Sequence, residues 1–241
     1  MKIACICCTY NRPQQLAEAI ESFQRQTYPL DKRELIVLDD AGQYNEQTGP
    51  GWWLLSVGKR FRTLGEKRNA TAALASADVD AYAVWDDDDI YLPWHLEAMA
   101  RVFESGAPWS VPDEVWIDRR TWLERKRTGG LFHGSWGFTR EAFLSVGGYP
   151  PMQSGQDQAL AARFRKAGVR VASLGGVPSY VYRWFTYENA RHISALGKDG
   201  YERRGQEPIV RREVVVPGWG RDWEEISTAA SAAAGSAVAT R

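Results

Sequence analysis

The sequence predicts an α/β protein with a mostly parallel sheet that helices flank, followed by a mixed α+β region. Strand-length apolar runs alternate with helical periodicities over residues 1–106, and this β-α alternation is typical of parallel sheets. After Pro108 the pattern changes to short strand-like pieces around two helices. We therefore predict a single domain of residues 1–226, with a front half (1–106) and a back half (107–226).

The strands of the front half are predicted from apolar runs that polar sequence bounds. They are expected at residues 2–9, 34–38, 60–64 and 81–85. Residues 41–51 are rich in glycine and polar side chains, so we predict a loop there.

The helices of the front half are predicted from apolar spacing and from their start signals. They are expected to begin at Pro13 and to cover residues 63–76 and 93–103. Thr63 and Glu66 have the spacing of a capping box, in which each residue bonds the backbone of the other. His95 is expected on the exposed surface of the third helix.

The back half is predicted to mix short strands and helices. Its strands are expected at residues 114–118, 131–139, 169–174 and 179–184, and its helices at 140–146 and 155–167. Residues 227–241 are rich in alanine and serine and lack large apolar side chains, so we expect a disordered tail there.

Composition excludes several classes of function. Thirty basic residues balance thirty acidic ones, so no overall field would attract nucleic acid or an anionic membrane. No apolar stretch reaches the length of about 18 residues that a membrane span needs, and the first residues lack a signal-peptide pattern. We expect a cytoplasmic protein without a transmembrane segment, and peripheral attachment to a membrane remains an alternative.

Cysteine and tryptophan add little to the functional prediction. The three cysteines, at positions 5, 7 and 8, all lie in the first predicted strand, and no second cluster exists to complete a zinc site. We expect reduced, partly buried thiols. The eleven tryptophans fit sugar-stacking platforms and core packing equally well.

Four consecutive aspartates, Asp86 to Asp89, follow the strand predicted at 81–85. Adjacent carboxylates repel one another by about 1 kcal/mol per close pair even in water, so a cation is expected to meet them. Side-chain alternation would place Asp86 and Asp88 on one face and the other two on the opposite face. A hard divalent metal is one interpretation, and a solvated acidic turn that opens the next helix is the other.

Two cations lie at the predicted start of the second helix. Lys67 and Arg68 oppose the helix dipole there, at a cost of about 0.3–1 kcal/mol each unless an anion is nearby. A diphosphate would supply that anion, because helix N-termini attract phosphate. A basic surface turn in which Glu66 is the partner is the alternative.

Five segments together resemble the family 2 glycosyltransferases of GT-A fold. They read CTYNRP (8–13), IVLDD (36–40), GEKRNA (65–70), WDDDD (85–89) and GGYPPMQSGQDQALAARF (147–164). The resemblance covers about residues 3–184 and depends on the order and spacing of the segments, since no single segment is decisive. It implies a GT-A-like, Rossmann-type fold with a nucleotide-sugar half and an acceptor half.

The resemblance implies a donor site in the front half. Residues matching the family's nucleotide-binding positions are Thr9, Tyr10, Asn11, Arg12, Asp39, Asp40, Lys67, Arg68, Asn69, Asp86 and Asp87. Asp39 or Asp40 would read the base, usually uracil. Ordinary loop chemistry is the alternative for these residues and for Tyr10, and a simple helix start is the alternative for residues 11–13. Asp88, with Asp86 and the later His192, would hold Mn²⁺ or Mg²⁺, which neutralises charge on the departing diphosphate. A diphosphate contact, or no role in the site, is the alternative for His192. Asp89 would lie near the transferred sugar.

The resemblance also implies the chemistry of the acceptor. Asp157 matches the general base that removes the proton from the acceptor hydroxyl, so that direct displacement inverts the anomeric centre. A helix-capping role for Asp157 is the alternative. Gln156 stands where the family often has Glu. His133, Gly134, Ser135 and Trp136 would line the acceptor pocket, and a strand edge is the alternative.

The resemblance thus implies a metal-dependent, inverting glycosyltransferase that moves one sugar from a nucleoside-diphosphate sugar, expected to be a UDP-sugar. The acceptor is a glycan, a lipid-linked molecule or another hydroxyl compound. Processive synthases carry a Gln-any-any-Arg-Trp motif, and here Tyr180 stands in place of Gln before Arg183 and Trp184. The alternatives are a non-catalytic nucleotide-sugar or glycan-binding protein, and a nucleotidyltransferase, which would need glycine in the 8–13 loop.

Overall fold

The structure, a computed structural model, describes residues 1–183, 211–216 and 218–238, and it gives 232–238 by backbone only. It has the predicted α/β architecture. Its strands are β1 (Ile3–Thr9), β2 (Arg33–Asp39), β3 (Gln47–Gly49), β4 (Trp52–Ser56), β5 (Ala81–Val84), β6 (Ile90–Tyr91), β7 (Trp109–Val111), β8 (Glu114–Asp118), β9 (Leu123–Arg127), β10 (Gly137–Thr139), β11 (Val171–Ser173) and β12 (Tyr180–Tyr182). Its α-helices are α1 (Pro13–Gln24), α2 (Leu64–Ala73), α3 (His95–Glu104), α4 (Arg140–Ser145), α5 (Gln156–Lys166) and α6 (Trp223–Val238).

The strands of the described residues form two sheets. The large sheet has the order β11-β7-β10-β5-β1-β2-β4-β3, and the small one has the order β6-β12-β8-β9. In the large sheet β1 is parallel to both β2 and β5, and β2 is parallel to β4. The antiparallel β10 lies between β5 and β7. This is the mostly parallel sheet that the sequence predicts.

Helices cover both faces of the large sheet, as the alternation along β1 requires. Ile3, Cys5 and Cys7 face one apolar cluster, which α1 and α3 complete. Ala4 and Ile6 face the other cluster, which contains side chains of α2, α4 and α5. A strand buried on both faces is apolar throughout, and this explains why β1 has no polar alternation.

Cys5 and Cys7 are buried core residues, and Cys8 is partly buried. All three are free thiols. Burial raises the pKa of each thiol above its ordinary value. Six tryptophans of the described residues are buried as well, so most of these side chains serve the core (Trp52, Trp85, Trp109, Trp116, Trp136 and Trp223).

Two strand predictions are wrong. Residues 60–64 form no strand, because the neighbour of β2 is the apolar run Trp52–Ser56, and β3 lies within the segment predicted to be loop. The strand predicted at 131–139 is reduced to β10. Phe132 adopts φ 64 and a 3₁₀ turn covers His133–Ser135, so the backbone is not extended before Gly137.

The prediction of a disordered tail from residue 227 is also wrong over the part that the structure describes. Alanine has the highest intrinsic helix propensity, and α6 covers Trp223–Val238. Its first turns lie on the small sheet, where Trp223 and Ser227 are buried and Trp223 joins Trp116 and Leu123 in a third apolar cluster. Packing supplies the burial that the sequence of the tail does not reveal.

His95 is buried, so its predicted place on the helix surface is wrong. Its ring lies against Tyr91 and Trp85, and Nδ1 is 2.8 Å from the Ser179 hydroxyl. Burial lowers the pKa of His95 to about 3. Within the described ranges, no helix is both long enough and apolar enough to span a bilayer.

Candidate functional site

The aspartates lie at the edge of the large sheet where three parallel strands end. Strand register pairs Thr9 with Asp39 and Ile6 with Val84, so the ends of β1, β2 and β5 are neighbours. The acidic turn, Asp86–Asp89, connects β5 to β6. Asp86 and Asp88 are partly exposed, whereas the other two are buried, as the predicted alternation requires.

Arg12 neutralises two of these carboxylates. Asn11 adopts φ 50, a left-handed conformation that asparagine tolerates, so the chain turns sharply between β1 and α1. Arg12 Nη1 then donates to Asp87 Oδ1 at 2.8 Å and to Asp88 Oδ2 at 2.6 Å. Thr9 Oγ1 donates to Asp87 Oδ2 at 2.7 Å.

Burial and the neighbouring charges both act on the pKa values of Asp87 and Arg12. Burial raises the pKa of Asp87 to about 6, although Arg12 opposes the shift and the neighbouring Asp88 increases it. Burial also opposes the charge on Arg12, but Asp87 and Asp88 outweigh burial and raise the pKa of the guanidinium above its ordinary value. The cation is therefore fixed in its charged form beside the acidic turn.

Arg68 holds the third carboxylate. It lies in the second turn of α2, and Nη2 donates to Asp86 Oδ1 at 2.8 Å. Nη1 is 2.6 Å from His133 Nδ1, and His133 Nε2 is 2.8 Å from the Tyr149 hydroxyl. Arg68 thus connects the acidic turn to two side chains of the back half.

Lys67 connects α2 to the ends of β1 and β2. Its ammonium group donates to Asp40 Oδ1 at 2.5 Å and to the Thr9 carbonyl at 2.6 Å. Asp40 Oδ2 accepts from the Phe61 amide. The cations predicted to bind phosphate are therefore paired with carboxylates here.

Asp39 and Asp40 differ in their surroundings. The Asp39 carboxylate accepts hydrogen bonds from the amides of Ala41 and Gln43 and from the Ser56 hydroxyl. The two amides belong to the loop after β2, and Ser56 belongs to the neighbouring strand β4. Asp39 therefore shapes the loop, whereas Asp40 faces Lys67.

Asp89 faces the protein interior and not an open sugar pocket. Its carboxylate accepts from the Tyr180 hydroxyl and, at 2.9 Å, from the Arg183 amide. Arg183 Nε donates to the Asp88 carbonyl at 2.8 Å, and Nη1 pairs with Glu18 at 2.6 Å. Burial raises the pKa of Asp89 well above its ordinary value. Asp89 and Arg183 thus anchor the acidic turn to β12 and α1.

Asp157 lies in the first turn of α5, and it is partly exposed. Its carboxylate makes no hydrogen bond or ion pair with the part of the chain that the structure describes. The preceding loop is fixed to α2, because Asn69 and Tyr149 exchange two 2.8 Å hydrogen bonds and the Gly65 amide donates to Met152. The helix of Lys67 and Arg68 therefore positions the loop that leads to Asp157.

The remaining predicted residues are only partly brought together. The Tyr10 ring lies 4.0 Å beneath the Arg60 guanidinium. Gly134 accepts from the Tyr91 hydroxyl, and Trp136 donates to Gly130. These two residues and their neighbours His133 and Ser135 are buried or nearly so. His192 and Trp184 lie outside the described residues.

Sequence reasoning missed three residues of this site. Tyr149 and Arg183 contact it through hydrogen bonds, and the Tyr91 hydroxyl accepts from the Asp86 amide at 2.6 Å. Trp85 stacks on the Tyr91 ring at 3.8 Å and supports it. Tyr149 lies in the segment 147–164 that resembles the family, but nothing in the sequence around it indicates a contact with His133.

The donor set fits Mg²⁺ or Mn²⁺. Asp86 and Asp88 present part-exposed carboxylate oxygens, and these metals bind through one or two carboxylates, with phosphate oxygens and water completing the shell. Among the described residues, no three His, Cys, Asp or Glu side chains are grouped to hold an ion by themselves. A metal here would therefore share its shell with a phosphate ligand.

Comparison of the sequence with known proteins identifies similar chains. The profile of the family described as "Glycosyl transferase family 2" matches residues 4–149. YwdF of Bacillus subtilis (strain 168), described as an uncharacterized glycosyltransferase, is 34% identical over 110 residues, which is 44% of this chain and 39% of YwdF.

Comparison of the structure with solved structures gives the same fold. Residues 1–349 of S. aureus TarS, solved with UDP-GlcNAc, match with a TM-score of 0.63 at 16% identity, over 84% of this chain and 64% of that one. The mannosyltransferase PcManGT from Pyrobaculum calidifontis, solved with GDP-Man and Mn²⁺, matches with a TM-score of 0.59 at 18% identity, over 81% and 60%. The chain thus spans less than two thirds of the length of these relatives.

Proposed function

This chain belongs to family 2 of the glycosyltransferases, and from that membership we propose that it transfers one sugar from a nucleoside-diphosphate sugar to an acceptor hydroxyl. Residues 1–106 hold the donor and residues 107–226 the acceptor. TarS has been solved with UDP-GlcNAc and PcManGT with GDP-Man, and a UDP-sugar is the donor we propose here.

One observation carries the proposal. The part-exposed carboxylates of Asp86 and Asp88 lie within hydrogen-bond distance of buried arginines, and Lys67 adds a third buried cation through Asp40. A strip of opposite charges would complement a metal–diphosphate group, because Asp86 and Asp88 would hold the metal and the cations would bind phosphate oxygens. Burial fixes these charges before the ligand binds.

The charged strip assigns a role to each side chain. Asp88 and Asp86 would hold Mn²⁺ or Mg²⁺, with His192 as a further ligand. Bound there, the ion neutralises negative charge on the leaving diphosphate. Arg12, Lys67 and Arg68 would contact the same phosphates.

Asp39 or Asp40 is the residue we propose to read the base. Both carboxylates already accept hydrogen bonds within the described residues, Asp39 from its own loop and Asp40 from Lys67 and an amide, so either would exchange a partner on binding the base. Thr9, Tyr10 and Asn11 border the nucleotide from the loop after β1, with Asn69 and Asp87 behind the phosphates.

Asp157 is the proposed general base. It removes the acceptor proton while the hydroxyl oxygen attacks the anomeric carbon, and the bond to the diphosphate breaks on the opposite face. The sugar is therefore delivered with inversion. General base catalysis of this kind contributes about 10²–10⁴-fold. Its carboxylate, partly exposed at the start of α5 and without a partner among the described residues, supports this role.

Ligand-dependent thermal stability tests the donor site. The wild-type protein is melted with UDP, GDP, dTDP and CDP, each with Mn²⁺, Mg²⁺ or EDTA. Binding to the folded state at 100 times Kd adds about 2.7 kcal/mol of stability, so a true donor nucleotide gives a clear shift. We expect a shift with UDP that EDTA abolishes. If no nucleotide changes the melting temperature, the proposed donor site is contradicted.

Asp157→Asn tests the chemistry separately from binding. We expect transfer to fall by about 10²–10⁴-fold while UDP still protects the protein from unfolding. Gln158→Ala, one residue along on the exposed side of the same turn, is the matched control and keeps full activity. Normal turnover by Asp157→Asn would exclude it as the base. If the wild type binds nucleotide but transfers sugar to no acceptor, the result favours the alternative of a non-catalytic nucleotide-sugar-binding protein.

A further inference from the structure

A buried chain of polar contacts runs from the acidic turn into the back half. Arg68 links Asp86 on one side to His133 on the other, and His133 continues to the Tyr149 hydroxyl. Arg68 is 7% exposed, His133 is 8% exposed and Tyr149 is 1% exposed, so water does not replace these partners. Apart from the expectation that it lines the acceptor pocket, nothing in the proposed reaction assigns a role to His133.

The chemistry of the groups fixes the direction of each hydrogen bond. A guanidinium has five donors and no acceptor, so the imidazole nitrogen facing Arg68 must carry a lone pair. His133 Nδ1 is the nearer nitrogen, at 2.6 Å against 3.2 Å for Nε2. Nε2 then carries the proton and donates to the Tyr149 oxygen 2.8 Å away. Burial and the charge of Arg68 hold the pKa of His133 well below its ordinary value, which keeps this neutral form.

We propose that His133 is a positioning residue: by accepting from Arg68 Nη1, it keeps the guanidinium in the orientation that pairs with Asp86 and meets the donor diphosphate. The inference rests on the proposed function. Without His133, Arg68 Nη1 would lose its partner at 2.6 Å, and Nε already has none among the described residues. Leaving such a group unsatisfied favours a rotated side chain.

Tyr149 connects these hydrogen-bonded residues to the loop that precedes Asp157. Its backbone exchanges two hydrogen bonds with Asn69, one residue after Arg68, and its ring carbons lie under the guanidinium at 5.6 Å. The same residue lies in the loop that leads to Asp157. The chain Asp86–Arg68–His133–Tyr149 therefore joins the donor contact to the loop of the proposed base.

Four variants test the role of His133. His133→Phe removes both ring nitrogens, and His133→Asn keeps an acceptor close to the position of Nδ1. Arg68→Gln and the double variant His133→Phe/Arg68→Gln complete a cycle. Calorimetry with UDP and Mn²⁺ measures Kd, and steady-state assays with donor sugar measure KM and kcat. Phe143→Leu, in the apolar cluster around Tyr149, is the control for a general loss of packing.

We expect His133→Phe to weaken UDP binding by about 10–100-fold, the effect of a hydrogen bond to a charged group, and His133→Asn to stay within about threefold of wild type. The double variant should bind no more weakly than Arg68→Gln, because His133 acts through Arg68. Phe143→Leu should lower the melting temperature and leave Kd unchanged.

The outcomes separate this inference from the proposed function. If the wild type binds UDP and His133→Phe binds it equally well with the same kcat, the positioning role is overturned and the proposed function stands. Additive effects in the double variant also overturn it. If the wild type binds no nucleotide, both fail. Should His133→Phe not fold, ¹⁵N-detected NMR of the wild-type ring decides, since a proton on Nδ1 contradicts the inference and one on Nε2 supports it.

Discussion

At the scale of single residues, identical side chains acquire different roles from their surroundings. Asp86 and Asp88 are partly exposed and paired with arginines, whereas Asp87 is buried between Thr9 and Arg12. Asp89 is buried and joined to Tyr180. Four adjacent aspartates are thus two candidate ligand contacts and two internal anchors, and only their neighbours distinguish them.

His95 makes stability depend on pH in a predictable direction. Its pKa in the folded protein is about 3, below the value of about 6.5 that histidine has in an unfolded chain. The unfolded state therefore binds more protons between these values, so stability is complete above pH 6.5 and falls as pH decreases toward 3. Lowering the pH from 7 to 5 should remove about 2 kcal/mol through this group.

Replacement of His95 checks that dependence. Urea unfolding of wild type and of His95→Gln at pH 7 and pH 5 gives the two differences in the free energy of unfolding. We expect the variant to be less stable at pH 7, since it disturbs the contacts with Ser179 and Tyr91, but to lose about 2 kcal/mol less on acidification. Equal losses in the two proteins would show that His95 does not titrate in this range.

At the scale of elements, α2 is the helix on which the site depends. The structure shows one half of the predicted capping box, in which the Thr63 hydroxyl accepts from the Glu66 amide at 3.1 Å. The sequence did not indicate why Gly65 occupies the first turn. A Cβ there would lie 1.9 Å from the Pro150 carbonyl oxygen, so the glycine allows the loop before α5 to approach α2 closely.

Gly65→Ala should therefore destabilise the protein although alanine is the better helix former. Helix propensity favours alanine over glycine by about 1 kcal/mol, and overpacking typically costs about 1–3 kcal/mol, so the backbone clash is expected to prevail. Urea unfolding measures the net change. We also expect weaker UDP binding, because α2 and the loop separate.

Gly58→Ala is the matched control for this prediction. An added Cβ at Gly58 meets nothing within 4 Å, so its effect should lie within about 0.5 kcal/mol of zero. If Gly65→Ala were as stable as Gly58→Ala, the close approach of the loop to α2 would not exist in solution.

At the scale of the whole molecule, the C-terminal part closes the fold on two sides. Arg212 forms a parallel bridge with Tyr44, and its amide donates to Gln43, so residues 211–216 lie against the front half. On the other side, α6 covers the small sheet through Trp223. The proposed donor and acceptor halves are therefore connected beyond the boundary at residue 106.

Replacement of two tryptophans tests how much the packing of α6 contributes to the free energy of unfolding. Trp223→Ala should cost about 3–5 kcal/mol, the range for a fully buried large side chain, because Trp223 is 1% exposed among Trp116 and Leu123. Trp122→Ala, at a position 55% exposed, should change stability by less than about 0.5 kcal/mol. Guanidinium unfolding followed by circular dichroism measures both. A cost for Trp223→Ala no larger than that for Trp122→Ala would mean that α6 does not pack on the sheet.

The sequence was sufficient for the order of most elements and for the position of the acidic turn. Apolar runs identified β1, β2 and β5, and apolar spacing identified α1 and α3. It failed where local signals were weak or misleading. β3 and β6 are two or three residues long, and burial of the tail depends on a sheet whose strands come from widely separated parts of the chain, between residues 90 and 182.

By itself, the sequence determined the α/β class, the placement of Asp86–Asp89 after a buried strand and the basic residues at the start of α2. Only the tertiary structure decided which charges meet. Arg12 reaches Asp87 across 75 residues of chain, and Arg68 reaches His133 across 65. The physical reason is that strand and helix preferences depend on neighbours along the chain, whereas these ion pairs and hydrogen bonds depend on strand register and helix packing, which distant residues fix together.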